Sequence, residues 1–119
     1  MKRFKNILAV YDESVGSEAV LEQAVLLART NGAQLTLVNT VGEKPLSAGA
    51  LEEARTRLPR IVPWITQEGV KKVATAVLVG RPHLEIMCQV QREGHDLVIL
   101  SAEGGRALKD VFFGGTAIN

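Results

Sequence analysis

The sequence predicts an α/β fold, a three-layer sandwich in which a doubly wound, flavodoxin-like parallel sheet lies between helices. Three observations carry that expectation. Residues 6–11 (Asn-Ile-Leu-Ala-Val-Tyr) and 96–101 (Asp-Leu-Val-Ile-Leu-Ser) are short apolar runs without alternation, the pattern of parallel strands covered on both faces. Strand-like and helix-like segments alternate along the chain as β-α-β-α-β-α-β-α, an order that places crossover helices on both sides of one sheet. The chain has 119 residues, 46% of them hydrophobic, enough for a single core that needs neither disulfide nor metal.

The first strand stops at Asp12-Glu13-Ser14. From Ser17 onward Val20, Ala24, Leu27 and Ala28 recur at helical spacing with Glu18, Glu22 and Arg29 between them, and Asn31-Gly32 supplies a left-handed stop. Residues 34–40, rich in β-branched side chains, form the second strand a tight connection away. Gly42 and Pro45 mark a loop over 41–46, after which Ser47 is placed to cap a helix over 48–68 with the apolar stripe Leu51, Ala54, Leu58, Ile61 and Ile65. Pro59 and Pro63 fall inside that stretch and each removes a backbone donor, so a kink or two shorter helices are expected. Gly69 ends the element. Residues 72–79 alternate more than the other strands, which suits a position near the sheet edge. Pro82 opens a third helix that runs to Glu93 and stops at Gly94. After the fourth strand the sequence suggests a short helical piece over 107–113 and, from Gly114-Gly115-Thr116, the opening of a last helix.

Fourteen basic and thirteen acidic side chains leave a formal charge of +1, so nothing draws the chain to nucleic acid or to an anionic membrane. No apolar run approaches the roughly 18 residues of a membrane span, and the polar start is unlike a signal peptide, so the cytoplasm is the expected location. A single cysteine excludes an internal disulfide, and two distant histidines make no zinc cluster. His83 and His95 are read as surface residues, and Cys88, beside Leu84 and Met87, as a small packing group. Phe112 and Phe113 are read as anchors of the short helix. Trp64 has two open readings, an exposed contact residue or a lid over the second helix.

In doubly wound sheets ligands sit at the carboxyl ends of strands where the winding reverses. The loops richest in polar residues and glycine follow the first strand (Asp12-Glu13-Ser14) and the fourth (Ser101 to Arg106), so a crevice between them is the expected site. There is no G-x-S-x-G elbow, no G-x-x-x-x-G-K-[ST] and no G-x-G-x-x-G after the first strand. A phosphorelay receiver would need an aspartate after the third strand, where Gly80-Arg81-Pro82 stands.

Five segments occur in a telling order: Ile7-Leu8-Ala9-Val10 ending in Asp12, the run Gln34 to Val38, Val79-Gly80-Arg81-Pro82 followed by Ile86, Asp96 to Leu100, and Gly104 and Gly114 with nine residues between them. Together they resemble the universal stress protein family over essentially the whole chain. Nucleotide-binding members carry G-x-x-G-x9-G-[ST], whose glycines let a loop wrap phosphates. The resemblance places Gly104 and Gly114 on the second and third glycines, Ser101 on the first, and Gly115 on the final Ser/Thr, with Thr116 one residue late. It implies ATP or AMP as ligand, with Mg2+ only alongside bound nucleotide. Asp12 would face the adenine or ribose, the Thr40 backbone the adenine, and Ser101, Gly104, Gly105, Arg106, Gly114, Gly115 and Thr116 the phosphates. Ser101 keeps a hydroxyl and an N–H, but its Cβ narrows the approach. Gly115 lacks the hydroxyl, while the N–H groups opening the last helix stay available to an anion.

Structural alternatives stand beside these roles: Asp12 as a solvated turn carboxylate, Gly104 and Gly105 as plain turn residues, Arg106 as an exposed cation. Two functions therefore stay open, an adenine-nucleotide-binding regulatory or stress-response module and a nucleotide-independent dimerisation or interaction module. A hydrolase would have only Asp12 and Glu103 as candidate bases, neither in a position special to catalysis, so no catalytic residue is assigned. Family members continue through the last helix into a fifth strand by which many dimerise. The resemblance thus implies one domain over residues 1–119, incomplete at its C-terminus, with the fifth strand missing and an unpaired edge on the fourth. It further implies a homodimer or pairing with a second stress-protein domain.

Overall fold

The computed structural model describes residues 3–11, 16–42, 48–101, 111–113 and 116–118. Four parallel strands, β1 (Asn6–Val10), β2 (Gln34–Val41), β3 (Val73–Val79) and β4 (Leu97–Ile99), alternate with α1 (Ser17–Asn31), α2 (Ala48–Gln67) and α3 (Pro82–Glu93); β5 (Val111–Phe113) and β6 (Thr116–Ile118) follow. The sheet order is β3-β2-β1-β4-β5-β6. Ile7 lies opposite Leu35 on one side and Leu97 on the other, so the chain winds outward from β1 to β3 and then crosses back to β4. The expected α/β sandwich is present, and β3 stands at the edge that its alternation suggested.

Strand alternation divides the core in two. Ile7, Ala9, Leu35, Leu37, Leu97 and Ile99 face α1 and α2. Leu8, Val10, Val38, Leu78, Val98 and Leu100 face Ile86 and Val90 of α3. Because β1 and β2 are apolar on both faces, their hydrophobic pattern alone would tolerate a one-residue slip, and the neighbouring pairings hold the register.

Helix α1 buries Val20, Ala24 and Ala28 and ends at Gly32, whose φ of 64° is the left-handed stop the sequence announced. The prolines of α2 do not divide it: one helix runs from Ala48 to Gln67 through both. Pro59 and Pro63 are four residues apart and both exposed, so the carbonyls of Arg55 and Pro59 that lose a donor lie on the solvent side, where water replaces it. Ala54, Leu58 and Ile65 bury the opposite stripe, and Trp64 remains 42% exposed on the outer face. On α3, Cys88 is exposed rather than packed, as is Leu84 four residues before it, because the buried stripe runs through Ile86, Gln89 and Val90 instead. The expected N-cap Ser47 lies outside the described residues.

The C-terminal part differs from expectation. Residues 111–113 and 116–118 are strands, not a short helix and the start of another, and the edge of β4 is paired, with Val98 opposite Phe112 and Ile99 opposite Val111 in antiparallel register. Phe113 lies opposite Thr116, leaving Gly114-Gly115 between two runs of strand-favouring residues, which is a hairpin signature. Phe112 and Phe113 therefore belong to a strand rather than anchoring a helix. No fifth parallel strand occurs among the described residues.

The lead-in to β1 is held by side chains. Asn31 Oδ1 accepts the N–H groups of Arg3 and Phe4 at 2.8 and 3.1 Å, and the Asp96 carboxylate accepts those of Lys5 and Asn6 at 2.8 and 3.1 Å. Four successive amides are satisfied by two residues, one ending α1 and one preceding β4.

His95, expected at the surface, is buried, with 4% exposure. Asn6 Nδ2 donates to the Glu93 carbonyl at 2.9 Å, which leaves Asn6 Oδ1 as acceptor 2.9 Å from His95 Nδ1. Nδ1 therefore carries the proton, and Nε2 accepts from Gln89 Nε2 at 3.3 Å, while Gln89 Oε1 accepts from Arg92 at 2.6 Å. Burial lowers the His95 pKa from its ordinary 6.5, against the opposing pull of Glu93, the bond to Asn6 and Asp96. A histidine harder to protonate when folded favours the native state fully above pH 6.5 and withdraws that support as pH falls below 6.5 toward the folded value. Urea midpoints measured across this window should fall with pH for the natural chain and fall less for His95→Gln; parallel slopes would remove His95 as the cause.

Candidate functional site

The carboxyl ends of the parallel strands converge where the winding reverses between β1 and β4. The β1 exit is fixed by Tyr11, whose N–H donates to the Val38 carbonyl at 2.8 Å and whose hydroxyl donates to Glu18 Oε1 at 2.8 Å. Helix α1 then starts after Gly16, at φ 97° and ψ −6°, a left-handed conformation that L side chains seldom adopt. A Cβ on Gly16 would lie 3.4 Å from the Cβ of Ser101. The turn entering α1 thus packs against the residue just beyond β4, and the positive end of the α1 dipole stands beside it.

Ser101 is itself buried, with 7% exposure. Of the two flanks that the sequence placed around a crevice, Ser101 of the second lies beside Gly16 at the start of α1, and Asp12-Glu13-Ser14 of the first lies outside the described residues. Thr40 sits near the end of β2 opposite Leu78, half-buried and on the α3 face of the sheet. Thr116, expected at the opening of a helix, stands in β6 and offers no helix N-terminus to a phosphate. Asp12, Gly104, Gly105, Arg106, Gly114 and Gly115 lie outside the described residues.

Two features escape a reading by motif. Asn39, on the α1 and α2 face of β2, is 6% exposed, and its side chain makes no hydrogen bond among the described residues. Its position inside an apolar strand, Leu-Thr-Leu-Val-Asn-Thr-Val, is the signal that could have found it.

The second feature closes the β3 end. Gly80 has φ 140°, its N–H donates to the Val41 carbonyl at 3.0 Å, and a Cβ there would meet Glu85 Cγ and Oε2 at 3.0 Å. The Glu85 carboxylate so placed is unfavourable to an anion beside β3, which leaves the β1 and β4 side as the place for negative charge. Among the described residues no group of three histidine, cysteine, aspartate or glutamate side chains could hold a metal, and no helix is long and apolar enough to cross a membrane.

The profile of the universal stress protein family matches residues 3–119. A Staphylococcus epidermidis protein described as a universal stress protein is 29% identical over 128 residues, covering 98% of this chain and 77% of its own length. Among solved structures, a universal stress protein from Burkholderia pseudomallei superposes with TM-score 0.74 at 21% identity, over 88% of this chain and 87% of that one. A universal stress protein in complex with cAMP superposes with TM-score 0.68 at 16% identity, over 90% and 84%. At such identities the structural likeness is one of fold. With its sheet winding, its five ordered segments and a family match over nearly its whole length, the chain belongs to the universal stress protein family.

Proposed function

We propose that the chain binds an adenine nucleotide in the crevice between the turn entering α1 and the end of β4, and that occupancy serves a regulatory, stress-response role. The closeness of Gly16 to Ser101 carries this reading, because it sets the start of α1 against the end of β4, the two places that the family resemblance assigns to the ligand. The open end of the α1 dipole favours a phosphate there. The unpaired amide of Asn39 offers both a donor and an acceptor near the strand ends, as a nucleobase edge requires. Thr40 would meet the adenine through its backbone, Asp12 the adenine or ribose, and Gly104 to Gly114 the phosphates, with Mg2+ arriving only on the nucleotide. The relative holding cAMP supports including that nucleotide among the probes.

Calorimetric titration with ATP, AMP and cAMP tests the reading. Heat of binding is expected for at least one of them, and none at millimolar nucleotide overturns it. Ser101→Gly restores the residue that the family pattern has at this position and should tighten binding about tenfold, near 1.4 kcal/mol. Unchanged affinity would move the phosphates away from Ser101.

A second reading is favoured by that same side chain: the Ser101 Cβ fills space against Gly16, which suits an interaction module that needs no nucleotide. Its partner would be a second copy or another stress-protein domain. Nucleotide released on denaturing the purified protein counts against this reading, and a monomer in light scattering removes the homodimer.

A further inference from the structure

At the opposite edge of the sheet the parallel strands begin and α1, α2 and α3 end. A cavity of about 480 Å³ opens there between Lys5, Arg29, Gln34, Lys71 and Lys72. A second, of about 230 Å³, adjoins it through Gln34 and Lys72 and reaches Thr36 and His95. We propose that this groove is a separate ligand site, which takes a small molecule carrying two or more phosphate groups.

Charge is the first argument. The chain carries a net charge of only +1, yet four cations line the larger cavity and no carboxylate does. One nearby acid pairs with a lining cation, Arg29, and the others are engaged elsewhere, which leaves the three lysines. Glu68 lies 3.7 Å from Arg29, Asp96 accepts the backbone amides of Lys5 and Asn6, and Glu93, which lines the smaller cavity, lies 3.5 Å from Arg92. The ammonium groups of Lys5, Lys71 and Lys72 have no ion pair or hydrogen bond among the described residues.

Cations also gather at helix C-termini simply to meet the negative end of the dipole. Arg29 does so: its guanidinium donates to the Glu68 carbonyl at 3.2 Å. None of the three lysines makes such a bond, so the helix ends do not account for them.

Thr36 supplies an independent observation. It is 8% exposed, it lines the smaller cavity, and its hydroxyl has no hydrogen-bond partner among the described residues. Its hydroxyl, open to the cavity, is a donor free to meet an acceptor there, and an anionic oxygen is the strongest one. The larger volume is that of a small-molecule site rather than a single-anion notch. Its confinement between the ends of α1 and α2 does not suit the continuous basic stripe that a nucleic acid follows.

Inorganic tripolyphosphate, titrated into the full chain in a calorimeter, is the probe. Binding is expected, weakening as salt rises and weakening at least tenfold in the Lys71→Glu/Lys72→Glu chain, whose substitutions are exposed and whose fold circular dichroism checks. Thr36→Val, close in shape, should weaken it about tenfold. Gly16→Val, which obstructs the crevice at the other edge, should leave it unchanged, while ATP binding should survive the double lysine substitution. Loss of tripolyphosphate binding with Gly16→Val and its retention without the lysines would assign the heat to the crevice and overturn the proposal. Absence of binding overturns it too, as does equal affinity for citrate, which would show attraction to charge without recognition of phosphate. If nucleotide fails to bind at the crevice, the tripolyphosphate result still stands alone.

Discussion

Gly16→Val is expected to abolish nucleotide binding at the crevice and to lower stability by about 1–3 kcal/mol, the cost of holding a bulky residue at positive φ. Two effects coincide at this position. The conformation, at φ 97°, is one a β-branched side chain resists, and the Cβ direction points at Ser101. A Cβ alone would sit in ordinary contact with Ser101 at 3.4 Å, so the valine methyls would occupy the space between the loops. Gly16→Ala separates the two, because it brings the strain with little obstruction. It should lose stability but retain most of its affinity, whereas the valine chain should show no heat with AMP or cAMP, whose single phosphate leaves the basic groove out of the readout. Since a domain of this kind holds about 5–15 kcal/mol in all, both variants should fold. A valine chain that binds AMP or cAMP as the natural one does would place the nucleotide elsewhere.

Asn31→Leu should cost about 2–4 kcal/mol, a large effect for one side chain at a helix end. Asn31 is buried, its Oδ1 accepts two backbone donors, and its Nδ2 donates to the Leu27 carbonyl at 2.8 Å. Leucine fills a similar volume and satisfies none of the three. The readout is a fall in the urea midpoint without a change in slope, together with faster hydrogen exchange at the amides of Arg3 and Phe4. Asp96→Ala should do the same to Lys5 and Asn6. If exchange quickens only at the C-terminal end of α1, Asn31 is a plain helix stop and the strand is held by other means.

The parallel core was legible because its signals are local and strong. Unbroken apolar runs mark β1 and β4, glycines at positive φ end α1 and α3, and Pro82 opens α3 where a missing N–H costs nothing. What went astray depends on which way a side chain faces. The spacing of Pro59 and Pro63 contained the answer, since four residues apart is one helix face, and that face proved to be the wet one. Cys88 and Ile86 are two residues apart on α3, and only the packing against β3 decides which is buried.

His95 adjoins a glycine and an aspartate, a surface-like context. Its burial comes from Asn6 and Gln89, one of them 89 residues away, and no local pattern encodes that. At residues 111–118 the strand propensity of Val-Phe-Phe and the Gly-Gly between short runs should have outweighed the expectation of a helix. At the site, the glycine pattern pointed to the ends of β1 and β4, which the structure places side by side. The closeness of Gly16 to Ser101 and the burial of Asn39 depend on tertiary contact alone.

The fastening of β1 bears on the order of assembly during synthesis. This strand lies between β2 and β4, and its lead-in amides wait for Asp96, 90 and 91 residues further along the chain. As the polypeptide emerges, β1, β2 and β3 can pair early with α1 and α2 over them. Until β4 arrives, however, one side of β1 presents bare amides and carbonyls to whatever is near, the condition under which strand edges recruit other chains. The closing step is also the one of longest sequence separation, hence the slow one. A chaperone that shields a nascent β1 edge would act in that interval, between the emergence of α2 and that of Asp96.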